Sequence, residues 1–436
     1  MSKLNRQLTL SGLTMIAIGS CIGSGIFITP ADSLAKLPHH GWVLLVWALG
    51  GVVAYLGALT FSELGSRFPG AGGVYVYIKE AYGPLMAFLY GWIILLIVNT
   101  GALAALAYAL ADYLNFFFPL EGAVKSVVAI LIIVILTFVN VLGVKTSQML
   151  ATLFTTLKLL AIAFIIIIGL VYASTTDHTI IVNPMVDIPD GLFSGILLAF
   201  VGVFWSTGGW HHATYMAGET IDPQRNVPRA MKYGTITVTV TYLLVILSFM
   251  LLVPMQEMAQ SERIAGDALQ AVFTWGGRIV SIMISISIFG TIAIYTMSAP
   301  RIYYAMAEDG LFFKFLSKTH PTFKTPHYAM ILQSSWAIIL ILLWGSFIRI
   351  ITFVTFMDIL FMAIAASTLF VIRRSQEEQA PFHLKYYPVV PILYLLVTVA
   401  VVLNTAINLQ SESFAGTIIL IIGLPVFYFF KRSKKK

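Results

Sequence analysis

The chain has 436 residues, of which 59% are hydrophobic and 10% charged, and its mean hydropathy is +0.90. So little polar surface cannot cover a soluble protein of this size, which places the chain among polytopic, all-α membrane proteins. The net charge of +7 sits in short hydrophilic stretches and in the tail Lys431-Arg432-Ser433-Lys434-Lys435-Lys436, a pattern that suits anionic lipid headgroups and not a nucleic-acid groove.

Twelve apolar segments follow one another, at about 8–36, 41–66, 84–112, 122–143, 146–172, 191–218, 228–253, 268–300, 327–345, 348–372, 388–408 and 413–430. The first is too long for a signal peptide and is followed by further segments, so no cleaved leader is expected. An even number of crossings puts both termini on one side. Of the 26 Lys and Arg, 20 fall in the connecting stretches on that side and 5 on the other, with Lys158 left inside a segment. Positive residues accumulate on the cytoplasmic side, so both termini are expected there.

The first segment runs without a charge from Gln7 to Ala31 and is interrupted near its middle by Gly23-Ser24-Gly25. These three residues have poor helix propensity, and an unwound stretch at membrane depth must turn its backbone polar groups toward protein, water or a polar ligand. Between the second and third segments, residues 67–82 carry the glycine-rich run FPGAGGVYVYIKEAY and read as a re-entrant or interfacial helix, with a plain loop as the alternative. Asn99 and Thr100 in the third segment are candidate pocket residues, but a helix-packing hydrogen bond is the favoured reading for both.

Lys158 lies about twelve residues into the fifth segment, roughly 18 Å from its nearer end and too deep to reach the surface easily. A lysine there costs ~2.5–3.5 kcal/mol, so it is expected to face the bundle interior and to find a partner. Carbonyls freed by the first break and hydroxyls such as that of Ser287 are candidates. A fixed ammonium at that point would do the work of a bound Na⁺ and make sodium coupling unnecessary. A purely structural lysine is the alternative.

The sixth segment has a second break, Trp205-Ser206-Thr207-Gly208-Gly209-Trp210, again near mid-membrane. Broken helices five segments apart are the signature of an inverted repeat, helices 1 to 5 (8–172) against 6 to 10 (191–372), with two added helices (388–430) completing a single membrane domain. Each break alone is commonly a small-residue packing device, but two in register point to a ligand site between them. The helix after Gly25 begins with free N–H groups and a positive dipole end, suited to a carboxylate. The halves ending near Ile22 and Trp205 present free carbonyls, suited to an ammonium. A zwitterion such as an α-amino acid carries both.

Other features remain open. His211 and His212 follow the second break, and at most one is expected to see the pocket because neighbours on a helix diverge. Asp358 lies among apolar neighbours in the tenth segment, and whether it lines a vestibule or is protonated is undecided. Cys21 is the only cysteine, so neither an internal disulfide nor a cysteine metal cluster can form. There is no H-E-x-x-H and no pair of intramembrane carboxylates, so the chain is not expected to be an enzyme or to hold a metal or cofactor. A channel would need more polar residues along its helices, and a sensor would need an output domain.

The run Ile18-Gly19-Ser20-Cys21-Ile22-Gly23-Ser24-Gly25-Ile26-Phe27 resembles the helix-one signature of the amino acid, polyamine and organocation superfamily. Trp205 to Trp210 with Ala217-Gly218-Glu219, Asp222-Pro223-Gln224-Arg225-Asn226-Val227-Pro228-Arg229-Ala230, Ala299-Pro300-Arg301 with Ala305-Met306-Ala307-Glu308-Asp309-Gly310, and Lys158 narrow the resemblance. Together they resemble the L-amino acid transporter family, especially its bacterial serine/threonine and alanine/serine/cysteine exchangers.

That resemblance implies a leucine-transporter-type fold of twelve transmembrane helices, with helices 1 and 6 broken, in a bacterial plasma membrane. It implies sodium-independent exchange of small neutral L-amino acids (alanine, serine, threonine, cysteine) by alternating access. A proton-coupled symporter is the alternative. Carried over by position, Cys21, Ser24 and Gly25 would lie against the substrate carboxylate and Trp205, Ser206 and Gly208 on the amine side, with Ile22, Gly23 and Thr207 also substrate-binding. Lys158 would tie helix five to helix one near Gly19 and to helix eight near Ser287. Trp205 stands where many members have a gating phenylalanine, and its larger indole favours small substrates. Thr207 departs from a common tyrosine. Animal relatives bind a glycoprotein through a cysteine in the loop after helix three. Residues 112–122 here have none, so no covalent ancillary subunit is expected.

Overall fold

The computed structural model describes residues 4–37, 39–175, 191–261, 264–343, 347–375, 380–408 and 410–433. Every named element is a helix, and the described β-pairing is an isolated bridge between Leu8 and Thr220. Among the described residues, eight helices are long and apolar enough to cross a membrane, and Leu10–Cys21, Leu192–Thr207 and His327–Leu343 are shorter apolar helices. The chain is an all-α polytopic membrane protein. Lys434 to Lys436 of the basic tail, and Asp190 at the start of the sixth charge-free run, lie outside the described residues.

Span 1 is not one helix. Thr9 caps Leu10–Cys21 by accepting from the Gly12 N–H at 3.2 Å, winding stops at Cys21, and a 3-10 turn over Gly25–Phe27 leads into Thr29–Lys36. Span 2 is His40–Arg67, span 4 Ala123–Val141, span 5 Val144–Thr175, span 9 His327–Leu343, span 10 Phe347–Ser375, span 11 Val389–Asn408 and span 12 Gln410–Ser433.

Span 3 has three parts: Val74–Ile93, a π-helical turn over Ile94–Val98, and Asn99–Leu114. Gly83, at φ 81° and before Pro84, separates the part before it from the crossing itself. The glycine-rich run therefore ends in a short helix with Val74, Tyr75, Tyr77 and Ile78 buried, and is not a plain loop.

Span 6 is Leu192–Thr207 followed by a single turn, His212–Tyr215, and a 3-10 turn, Ala217–Glu219. Span 7, Pro223–Leu252, starts several residues earlier than the apolar pattern suggests. Proline at its first position needs no N–H partner and is preset for helix, so polar residues from Gln224 to Lys232 continue the winding. Span 8 starts later, at Gly276, because Ile264–Gln270 forms a separate short helix; beyond Ser298 the chain continues as Pro300–Glu308.

Burial shows which spans make the centre. Over an apolar stretch of 18 residues, 89% of span 3 is buried, against 28% of spans 4 and 5, so the third crossing is enclosed and the latter two face lipid. Exposed Phe138, Leu160 and Ile167 follow from this, since apolar side chains on the outside are stable against acyl chains.

Candidate substrate site

The two breaks lie against each other. Ser20 Oγ donates to the Gly209 carbonyl at 2.8 Å, and the hydroxyls of Thr29 and Ser206 are 2.7 Å apart. The Tyr242 hydroxyl of span 7 lies 3.0 Å from both the Cys21 and Ser206 carbonyls, so its one hydrogen serves either break. A Cβ on Gly25 would sit 2.5 Å from Ser206 Oγ, and one on Gly209 would sit 2.6 Å from the Ser20 carbonyl oxygen. Gly209 also has φ 99°, which other residues rarely adopt. The glycines are thus needed for close approach as much as for unwinding.

The polar groups freed by unwinding divide into used and unused sets. The Ile22 carbonyl accepts from Lys158 Nζ at 2.6 Å, Thr291 Oγ1 at 3.0 Å and Ser287 Oγ at 3.2 Å. Gly19 O accepts from Lys158 at 3.0 Å and Thr291 at 3.1 Å, and Gly23 O accepts from Ser287 at 3.1 Å. Lys158, fully buried, also lies 3.0 Å from Thr291 Oγ1. Its hydroxyl partner is therefore Thr291, while Ser287 shares only the Ile22 carbonyl with it. Thr291, one turn beyond Ser287 on span 8, was not apparent as a partner in the sequence. The i+4 spacing from Ser287 was the available signal.

The N–H groups of Ser24, Gly25 and Ile26, in contrast, donate to no backbone carbonyl among the described residues. Ser24 Oγ is buried and lacks a partner. Trp205 and Thr207 carbonyls likewise accept no hydrogen bond there, because Gly209 turns the chain away. Donors at the start of the second half of span 1 thus stand with acceptors at the end of the first half of span 6.

A cavity of about 50 Å³ adjoins the second break. Trp205, Thr207 and Gly208 line it, with Asn99 from span 3, Tyr295 from span 8, Asp358 from span 10 and Tyr394 from span 11. Cys21 to Gly25 and Ser206 do not; they are buried where the two breaks meet, and the Trp210 N–H reaches the Cys21 sulfur. Asn99 reaches the cavity with its amide nitrogen unpartnered, in place of the helix-packing bond expected, whereas Thr100 is satisfied by Leu95 O at 2.6 Å.

Both His211 and His212 line the cavity, contrary to the expectation that only one would. The divergence of neighbours holds on a regular helix, and residues 208–211 are not helical. His212 Nδ1 lies 2.6 Å from Ser298 Oγ and its ring stacks on Tyr295 at 4.3 Å.

On the side that holds the termini, the two broken spans are tied together. Gln7 and Leu8 N–H groups donate to the Glu219 carbonyl at 2.8 Å each, and Ile221 N–H donates back to Leu8 O at 2.9 Å. Arg301 holds the Glu219 carboxylate at 2.7 and 2.9 Å, with both side chains buried. A second cluster centres on buried Glu63, which accepts from Arg67, Arg373 and the Leu384 N–H.

The family model for amino acid permeases matches residues 8–427. The serine/threonine exchanger SteT of Bacillus subtilis is 30% identical over 99% of this chain and 98% of its own length. The human b(0,+)-type amino acid transporter 1 is 31% identical over 98% and 88% of the two chains, and the mouse Asc-type amino acid transporter 1 is 30% identical over 99% and 83%. The match spans both breaks, the buried lysine and the tied ends, and the chain belongs to the amino acid permease family of the amino acid, polyamine and organocation superfamily, whose work is amino acid transport.

Proposed function

We propose that this protein exchanges small neutral L-amino acids, of the alanine, serine, threonine and cysteine class, across the plasma membrane by alternating access and without sodium. The observation that carries this reading is the unused set of backbone groups: N–H at Ser24, Gly25 and Ile26, and carbonyls at Trp205 and Thr207. A carboxylate and an ammonium on adjacent atoms satisfy both, which is the common part of every α-amino acid. The first-break carbonyls at Gly19 and Ile22 are already taken by Lys158 and Thr291, so the ammonium is assigned to span 6 alone.

Lys158 supports sodium independence. Its ammonium bridges span 5 to the first break where a coordinated cation would otherwise sit. Trp205, partly buried and lining the cavity, supports a small side chain. Residues 8–172 and 191–372 act as the two halves that rock about the site, with 388–430 appended, and both termini lie in the cytoplasm. The lack of cysteine in 112–122 favours action without a disulfide-linked subunit.

The test is counterflow. Liposomes loaded with L-serine should take up labelled L-alanine or L-serine faster than empty ones, equally with Na⁺ or K⁺ outside. Equal uptake by empty liposomes under an inward pH gradient would instead establish proton symport.

A further inference from the structure

A second cavity, of about 200 Å³, lies on the side that holds the termini, where the turn between spans 4 and 5 meets the N-terminal arm and the loop before span 9. Lys145, at the start of span 5, and Lys324, from that loop, both line it. Neither ammonium has an ion-pair or hydrogen-bond partner among the described residues. Glu219 also lines the cavity, but Arg301 already holds its carboxylate at 2.7 and 2.9 Å, so the two ammoniums are left as uncompensated charge.

The loop that carries Lys324 is fixed. His320 N–H donates to Thr325 O at 2.8 Å and Lys324 N–H to His320 O at 3.0 Å, while Thr325 Oγ1 donates to Val141 O at 2.8 Å and pins the loop to the end of span 4. Lys324 is held at φ 57°, a conformation unfavourable for a residue with a Cβ. The same cavity has an apolar wall, formed by Leu142, Val144 and Phe323. Spans 4 and 5 face lipid, so the turn that joins them stands beside the headgroups of one leaflet. Paired ammoniums next to apolar side chains at that level suit an anionic amphiphile better than a free anion, which has no use for the apolar wall.

We propose that this cavity binds the phosphate group of an anionic phospholipid from the adjoining leaflet, with Lys145 and Lys324 on the phosphate and Leu142, Val144 and Phe323 against the glycerol and upper acyl carbons. Asn5 and Gln7 complete the lining, and the Gln7 N–H donates to the Glu219 carbonyl at 2.8 Å. A lipid seated there packs against the arm that ties span 1 to span 6 and favours the docked arm. An anionic bilayer thus holds this face of the transporter closed more firmly than a neutral one, whichever amino acid is carried.

The test uses the purified full-length protein in neutral detergent, with dioctanoyl-phosphatidylglycerol, dioctanoyl-phosphatidylcholine and inorganic phosphate as probes in thermal melts. Phosphatidylglycerol should stabilise wild type at concentrations at least about tenfold below those needed of the other two, and Lys145→Gln with Lys324→Gln should weaken that response about tenfold. Lys431→Gln with Arg432→Gln, in the basic tail, should leave it unchanged. Lys324→Gly removes one ammonium and relieves the left-handed backbone, so it should fold at least as well as wild type and still respond more weakly, which keeps the test decisive if the double variant does not fold. In nanodiscs, maleimide labelling of Asn5→Cys should be at least about threefold slower with phosphatidylglycerol than with phosphatidylcholine alone. Equal stabilisation by inorganic phosphate, or a phosphatidylglycerol response unchanged by both Lys324 substitutions, overturns the lipid site. Equal labelling rates overturn its coupling to the arm. Counterflow by the same preparation tests exchange separately.

Discussion

Replacing Lys158 with methionine separates transport from binding. Methionine keeps much of the side-chain volume and removes the ammonium, with its bonds to Gly19 O at 3.0 Å, Ile22 O at 2.6 Å and Thr291 Oγ1 at 3.0 Å. Each charge-assisted bond is worth about 1.5–3 kcal/mol, but the burial cost of the ammonium, several kcal/mol, disappears with it. With one hydrogen each, Thr291 and Ser287 still serve two of the three carbonyls at Gly19, Ile22 and Gly23, and the one left unpaired costs about 1–3 kcal/mol against the burial cost removed. Net stability should therefore change by no more than about 2 kcal/mol.

The transport cycle responds differently. The lost bonds join span 5 to the end of the first half of span 1 and to span 8, and alternating access requires those elements to part or shift. One bond made in only one state, at about 1.5–3 kcal/mol, slows the transition by about tenfold to more than a hundredfold. The unused N–H groups of Ser24, Gly25 and Ile26 are not bonded to Lys158, so affinity should stay within about threefold. Counterflow rates in liposomes and equilibrium binding of labelled serine, on the same preparation, provide the two readouts. Rate and affinity falling by the same factor, or neither falling, would refute the reasoning.

Trp205→Ala should widen the cavity and raise leucine uptake relative to alanine by about tenfold, the scale of steric discrimination in an apolar pocket; an unchanged ratio in a competition assay removes the indole as its boundary. Gly209→Ala should lower stability by about 1–3 kcal/mol, from φ 99° and a Cβ 2.6 Å from Ser20 O, whereas Gly70→Ala, with nothing within 4 Å, should be silent in the same thermal melts. Arg301→Met should cost about 3–5 kcal/mol by stranding the buried Glu219 carboxylate, and adding Glu219→Gln should recover much of it. A double variant no better than the single one would show that the ion pair is not what holds these ends.

Much of the fold is legible because the bilayer leaves few choices. Charge-free runs long enough to span are helices there, and Gly23-Ser24-Gly25 and Gly208-Gly209 mark where two of them break, whereas the Gly50-Gly51 pair stays wound in span 2. The sixth span is less legible beyond Gly209: the apolar pattern continues to Gly218, yet the chain forms only His212–Tyr215 and a 3-10 turn. Hydropathy measures burial, and this segment is buried by neighbouring spans whether or not it winds. The same limit hid the start of span 7, where polar residues from Gln224 to Lys232 are helical because Pro223 initiates the helix.

The sequence by itself determined that the chain is a helical membrane protein, that its first and sixth spans break, and that a buried lysine needs acceptors, because each follows from composition or from the cost of a polar group in lipid. Only the tertiary structure decided which freed groups are already satisfied. Lys158, Thr291, Ser287 and Tyr242 come from spans 5, 8 and 7 to take the first-break carbonyls, while the Ser24 to Ile26 N–H groups and the Trp205 and Thr207 carbonyls are left over. It also placed Asn99, both histidines and Asp358 around one cavity. Hydrogen bonding is a pairwise property of atoms far apart in the chain, and no local pattern records who meets whom.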